Sequence, residues 1–190
     1  VLILFAAMKV KEKRKGFHYL LDALYRLKSA HPDLQVELLV LGQSDPEELE
    51  ALPYPFHALG MVREVSQLVT AYGAADIFVI PSLEDNLPNT VMESLACGTP
   101  VVGFRTGGIP EMVGHLQEGF IAPQKDAEAL AQGLYWVARG EIPIDTLRKT
   151  ARKKVEGCYS NSIIGNRYIQ LYRELLTGIY SPGNATSPGE

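Results

Sequence analysis

Residues 77–104 read IFVIPSLEDNLPNTVMESLACGTPVVGF. Ile77–Ile80 is an unbroken apolar run stopped by Pro81, the pattern of a short strand buried on both faces. Ser82–Pro88 is a polar, acidic loop that leads into a helix through Ala96, and Gly98 is well placed as that helix's left-handed terminator. Pro100–Phe104 resumes as an apolar strand. Two strands joined by a helix are parallel neighbours, because parallel pairing needs a crossover connection.

The alternation extends in both directions. Val1–Phe5 is an apolar strand, Lys9–Lys15 is basic, and after Gly16 the residues Phe17, Leu20, Leu21, Leu24 and Leu27 recur at helical steps. Leu34–Leu41 reads as a second strand and Gly42–Pro55 as a polar loop with one turn of helix. Phe56–Leu59 is a short strand ending at Gly60, and Val65–Tyr72 is a helix. Beyond Phe104 come the Gly107-Gly108 turn, a short helix near Glu111, a strand at Phe120–Ala122, and helices over about 126–139, 144–157 and 161–176. This order predicts an α/β, doubly wound, mainly parallel sheet with helices on both faces over residues 1–177. Residues 178–190, rich in Gly, Pro and Ser, read as a flexible tail.

Composition narrows the function. The 190 residues, 46% hydrophobic and 21% charged, suit one domain, and the formal net charge of -4 argues against a surface built for nucleic acid. Cys97 and Cys158 lie far apart with no CxxC pairing, so neither a disulfide framework nor a structural zinc site is expected, and a reducing cytoplasm fits best. No apolar run approaches the roughly 20 residues needed to cross a bilayer. The chain begins inside a strand without an initiator methionine, which suggests a piece of a longer protein.

In an open parallel sheet, ligands bind beyond the carboxyl ends of the strands. Three loops qualify: Ala6–Gly16, Ser82–Pro88 and Arg105–Pro110. The first sets five Lys and Arg residues against Glu12 ahead of a helix N-terminus, suiting an anion such as phosphate, with a solvated basic turn as the simpler use. It contains neither GxGxxG nor GxxxxGK[ST], so dinucleotide-dehydrogenase and P-loop readings lose their support. The second carries Glu84 and Asp85, and Glu93 follows Asp85 by eight positions, inside the next helix. Carboxylates so placed accept hydrogen bonds from vicinal hydroxyls of a sugar or ribose; turn chemistry and a solvent-facing glutamate are the plainer alternatives. No Asp-x-Asp stands on a loop and no His/Cys/carboxylate cluster has ligand spacing, so neither a metal nor another cofactor is expected.

In order along the chain, RKGFHYLLDAL, LGMV, AYGAADIFVIPSLEDNLPNTVMESLACGTPVV, GGIPEMV, EGFIAP and YIQLYRELL resemble the C-terminal, donor-binding half of GT-B glycosyltransferases, specifically the retaining family 4. The resemblance implies a Rossmann-like domain that is one half of a GT-B fold, with a nucleoside-diphosphate sugar as substrate. It places the family's acidic pair on Asp85, toward the transferred sugar, and Glu93, toward the ribose. Lys15, with Arg14 beside it, falls at the donor pyrophosphate. The backbone of Asn86, Leu87, Pro88, Asn89 and Thr90 falls near the sugar and phosphates, and Gly60, Met61 and Val62 near the base. It implies an acceptor-binding N-terminal domain absent from these 190 residues, and a saccharide or lipid-linked acceptor reached at the inner face of the cell membrane.

Three departures stand out. Ala6-Ala7 occupies the place of the family's usual Gly-Arg, leaving Arg14 or Lys11 to supply a cation there; Asp85 replaces the commoner glutamate; and Pro88 removes an N–H. The EDNLPNT loop is similar to that of bacterial enzymes building capsule, exopolysaccharide or lipopolysaccharide. The resemblance further implies transfer with retention and without a metal. A noncatalytic binding module, motivated by Ala6-Ala7, and a nucleotide-sugar epimerase of the same architecture are the competing readings. The basic stretch Arg148, Lys149, Arg152, Lys153 and Lys154 is read as a solvated helix face, with anionic lipid as its alternative partner, and the four histidines as structural or exposed.

Overall fold

Six strands, all paired in parallel, form one sheet in the computed structural model, which describes residues 1–177. The strands are β1 (Leu2–Lys9), β2 (Glu37–Gln43), β3 (Phe56–Gly60), β4 (Ile77–Ile80), β5 (Val101–Phe104) and β6 (Gly119–Ala122), in the order β3-β2-β1-β4-β5-β6. The helices are α1 (Phe17–Ala30), α2 (Pro46–Glu50), α3 (Val65–Ala74), α4 (Asn89–Ala96), α5 (Ile109–Met112), α6 (Ala127–Ala138), α7 (Ile144–Cys158) and α8 (Asn161–Leu176). The expected tail, 178–190, lies outside the described residues.

Alternation along the strands builds two cores. Ile3, Phe5, Val79, Val102 and Phe104 point to the face covered by α1 and α6, where Leu20, Leu24, Leu27, Leu130 and Leu134 pack. Leu4, Phe78, Ile80 and Val101 point to the opposite face, where Tyr72, Val91, Leu95 and Ala151 from α3, α4 and α7 pack. Strands β4 and β5 are buried at every position, as expected of parallel strands covered on both sides, whereas the edge strand β3 has no buried residue.

The helix ends follow local chemistry. Asp126 accepts the Ala129 N–H at 2.9 Å to cap α6, Asp45 and Glu48 form a capping box on α2, and Gly98 ends α4 in the left-handed conformation. Two boundaries depart from expectation. β1 runs on through Ala6–Lys9, because an irregularity in its register lets Lys9 pair with Gln43. β2 starts at Glu37 rather than Leu34, since its ladder with β1 begins at the Leu2–Glu37 pair.

The basic stretch on α7 divides. Arg148 donates to the carbonyls of Gly73 and Ala75 and pairs with Asp76, and Arg152 bonds Glu156 and the Ala96 carbonyl. These two arginines tie α7 to the ends of α3 and α4, while Lys149 and Lys153 are exposed. Among the described residues no helix is long and apolar enough to cross a membrane.

Candidate functional site

Strand order locates the site. After β1 the chain steps outward through β2 and β3, then returns to lay β4 against the other side of β1, so the loops after β1 and β4 diverge over a crevice at the strands' carboxyl ends. Those two loops carry Lys15 and Asp85.

The β1–α1 loop turns through a short 3-10 segment, Lys13–Lys15, ended by Gly16 at φ +69°. Gly16 lies against the β4–α4 loop so closely that a Cβ there would overlap the Pro81 carbonyl oxygen. The Leu83 N–H donates to the Arg14 carbonyl at 2.7 Å, joining the two loops. Across this seam Lys15 Nζ meets Asp85 Oδ2 at 2.7 Å, with the side chains only 18% and 14% exposed. Arg14 is exposed and pairs with Glu12 at 2.6 Å.

The Arg105–Pro110 loop serves the site as a brace. Gly107 approaches the Asp85 carbonyl more closely than any residue with a Cβ could, and the Gly108 N–H donates to the Asn86 carbonyl at 2.6 Å. Thr106 Oγ1 donates to the Ser82 carbonyl at 2.7 Å, and Gln124 reaches both Thr106 and the Leu83 carbonyl.

A cleft of about 470 Å³ opens beside the seam, lined among others by Ala6, Ala7, Arg14, Lys15, Met61, Val62, Tyr72, Thr90 and Glu93. The structure thus brings together Arg14, Lys15, Met61, Val62, Thr90 and Glu93, with Asp85 joined to them through Lys15. Pro88 is buried as the N-terminal cap of α4, and Asn86, Leu87 and Asn89 are exposed on the same loop and helix start, outside the cleft lining. Gly60 also lies outside the lining, at the end of β3. Lys11 points to Asp45 at 3.3 Å and does not line the cleft, so Arg14 is the cation standing near Ala6-Ala7.

Sequence reasoning missed the support under Glu93. Tyr72, only 1% exposed, donates its hydroxyl to Glu93 Oε2 at 3.0 Å. Burial, reinforced by the Glu93 charge, pushes the Tyr72 phenol far above its ordinary range, so it remains a donor at neutral pH. Thr99 and Ser94, both fully buried, complete this support. A polar residue at an otherwise apolar helical position was the one available signal for Tyr72.

Chemically, the cleft combines an ammonium, a guanidinium and the open N–H groups of the α4 N-terminus, whose first turn holds no acidic residue. That is a place for an anion. Glu93 adds an acceptor suited to hydroxyl groups about one helical turn away. Among the described residues no group of three or more His, Cys, Asp or Glu side chains is arranged to hold a metal ion.

Fold and cleft together define an open α/β domain with cationic side chains and a helix N-terminus gathered at its switch point. Residues 1–139 match the family model described as Glycosyl transferases group 1, and the chain belongs to that family. It is 36% identical over 107 residues to the amylovoran biosynthesis glycosyltransferase AmsK of Erwinia amylovora, covering 53% of this chain and 26% of the relative. To a putative colanic acid biosynthesis glycosyltransferase, WcaL of Escherichia coli strain K12, it is 28% identical over 177 residues, covering 86% and 43%. The sucrose-phosphate synthase of Thermosynechococcus elongatus superposes with a TM-score of 0.75 at 27% identity, over 93% of this chain and 46% of that one. Anabaena Alr3699/HepE, solved in complex with UDP, superposes at 0.73 with 20% identity, over 90% and 48%. The chain therefore spans less than half the length of each of these proteins, and its six-stranded parallel sheet with helices on both sides is that of GT-B glycosyltransferases.

Proposed function

We propose that this chain is the donor-binding half of a retaining glycosyltransferase that builds a bacterial surface polysaccharide. The observation that carries this reading is the convergence of Lys15, Arg14, the α4 N-terminus and Glu93 on one cleft at the switch point. A nucleoside-diphosphate sugar offers that cleft matching groups. Its pyrophosphate meets Lys15, Arg14 and the Thr90 region, its ribose diol meets Glu93, its base lies by Met61 and Val62, and its sugar lies toward Asp85 and the Asn86–Asn89 backbone.

Transfer breaks the bond between the anomeric carbon and the diphosphate oxygen, whose electron pair leaves with the nucleoside diphosphate. A new bond forms to the acceptor oxygen on the same face, and the acceptor's proton passes to the departing phosphate. Oriented cations and helix N–H groups stabilise that leaving charge without reorganising. Asp85 and Glu93 serve binding rather than a two-carboxylate hydrolysis. The relatives' greater length supports a second lobe that holds a saccharide or lipid-linked acceptor, with transfer at the cytoplasmic side of the membrane.

Calorimetric titration with uridine and guanosine diphosphates tests the site. Wild-type protein is expected to bind one of them, and Lys15→Ala and Glu93→Ala each to weaken it about tenfold or more, the scale of one lost charge-assisted contact. Equal affinity in all three proteins would remove the proposed site.

A further inference from the structure

Glu93 lies exposed on α4, where a free glutamate would wander among several rotamers. One hydrogen bond, from Tyr72, restrains it, and a ring of hydrogen bonds holds Tyr72 in place. The Thr99 N–H donates to the Ser94 carbonyl at 2.9 Å, and Ser94 Oγ donates back to the Thr99 carbonyl at 2.9 Å. Thr99 Oγ1 donates to the Tyr72 carbonyl at 2.6 Å, and the Tyr72 hydroxyl donates to Glu93 Oε2 at 3.0 Å, returning to the residue that precedes Ser94. Ser94, Thr99 and Tyr72 are buried, and Phe78 packs edge-on against the phenol at 5.5 Å between ring centres. In that low-dielectric setting a network whose buried hydroxyls all have partners is rigid. The ring fixes α3 against α4 and leaves Oε1, with one further acceptor direction on Oε2, for a ligand.

We propose that Tyr72 is a positioning residue: it holds the Glu93 carboxylate where it accepts from both hydroxyls of a ribose, so that the cleft selects ribonucleotides over 2′-deoxyribonucleotides. The inference rests on the donor-site reading above. The missing 2′-hydroxyl of a deoxyribose removes one partner from a carboxylate that cannot turn to find another. Loosening Tyr72 lets Glu93 turn, so the preference for ribose shrinks while the phosphate contacts persist.

The test is calorimetric titration of wild type, Tyr72→Phe and Glu93→Gln with uridine diphosphate and 2′-deoxyuridine diphosphate, repeated with the guanosine pair. Wild type should favour the ribose form about tenfold, and Tyr72→Phe should lose most of that preference by weakening the ribose form while changing the deoxy form less than about twofold. A general packing defect would weaken both forms alike, and that result overturns the inference. So does an unchanged preference in Tyr72→Phe alongside its loss in Glu93→Gln, an outcome that leaves the donor-site reading intact. No binding of either pair, or no ribose preference in wild type, overturns the reading of Glu93 itself and this inference with it. A measurement on wild type guards against misfolding of Tyr72→Phe: exchange of the Tyr72 hydroxyl proton should slow more with uridine diphosphate than with its deoxy form, and equal slowing overturns the proposal.

Discussion

The β4–α4 loop, Pro81–Pro88, adjoins the switch-point cleft through the Lys15–Asp85 pair, the β3–α3 connection, Met61–Glu64, lines it with Met61 and Val62, and the two are held very differently. The first is tied to four neighbouring residues, through the Arg14 carbonyl, the Thr106 and Gln124 side chains and the Gly108 N–H, with Lys15 anchoring Asp85. The second follows an edge strand with no buried residue, and its Glu64 carbonyl is occupied in starting α3, accepting from Gln67 and Leu68. Met61 is half exposed. On the donor-site reading proposed above, such a site would present fixed geometry to phosphate and sugar and a yielding surface to the base. Preorganisation, not contact area, decides how strictly each part of a ligand is recognised.

Two glycines break this contrast open. Gly16 and Gly60 adopt nearly the same backbone, φ +69° and +63°, but a Cβ on Gly16 overlaps the Pro81 carbonyl whereas a Cβ on Gly60 meets nothing within 4 Å. Gly16→Ala is expected to cost about 3 kcal/mol or more in urea unfolding, and Gly60→Ala only about 1 kcal/mol, the backbone strain alone. Similar losses would mean that the two walls are equally tolerant. Next in size is binding: Lys15→Ala should weaken nucleoside diphosphate about tenfold or more, and Met61→Ala less than about threefold, by the same titration.

A pH experiment asks where the yielding side becomes rigid. Tyr72 sits on α3, eight residues beyond Glu64, and its phenol is raised by burial and by Glu93. An unfolded tyrosine ionises near pH 10 while the folded one keeps its proton, so above that pH the folded state binds more protons and stability falls as pH rises. Wild type should therefore lose about 1.4 kcal/mol per pH unit more than Tyr72→Phe above about pH 10, read by chemical unfolding, with no difference in slope at neutral pH. Parallel curves would show that the phenol is not sealed. Tyr54 and Tyr159, also raised by burial, shift both proteins alike.

Much of this was legible in the residues. The apolar runs Ile77–Ile80 and Pro100–Phe104 read as short buried strands of a mainly parallel sheet, and β4 and β5 are buried throughout. Strand ends were less legible, because pairing depends on the partner: Lys9 is in the sheet because Gln43 lies opposite, and Leu34 is outside it although it packs on the core. Lys15, Asp85 and Glu93 stood out through the family resemblance, since a solvated basic turn, turn chemistry and a solvent-facing glutamate are the plainer readings of the residues alone. Tyr72, Ser94 and Thr99 did not, since a polar group that bonds a residue distant in sequence looks like any other helical or turn residue. The Gly107-Gly108 turn was visible, but the carbonyls it would meet were not.

The Lys15–Asp85 pair has a consequence for which anions the cleft would hold. A small anion arriving alone must share the Lys15 ammonium with Asp85, 14% exposed, and meets that carboxylate's charge at close range. A molecule carrying both a negative group and hydroxyl donors gives each partner a replacement at once. On the donor-site reading proposed above, the pair would act as a two-key lock, favouring a whole nucleotide sugar over a bare nucleoside diphosphate and both over inorganic phosphate.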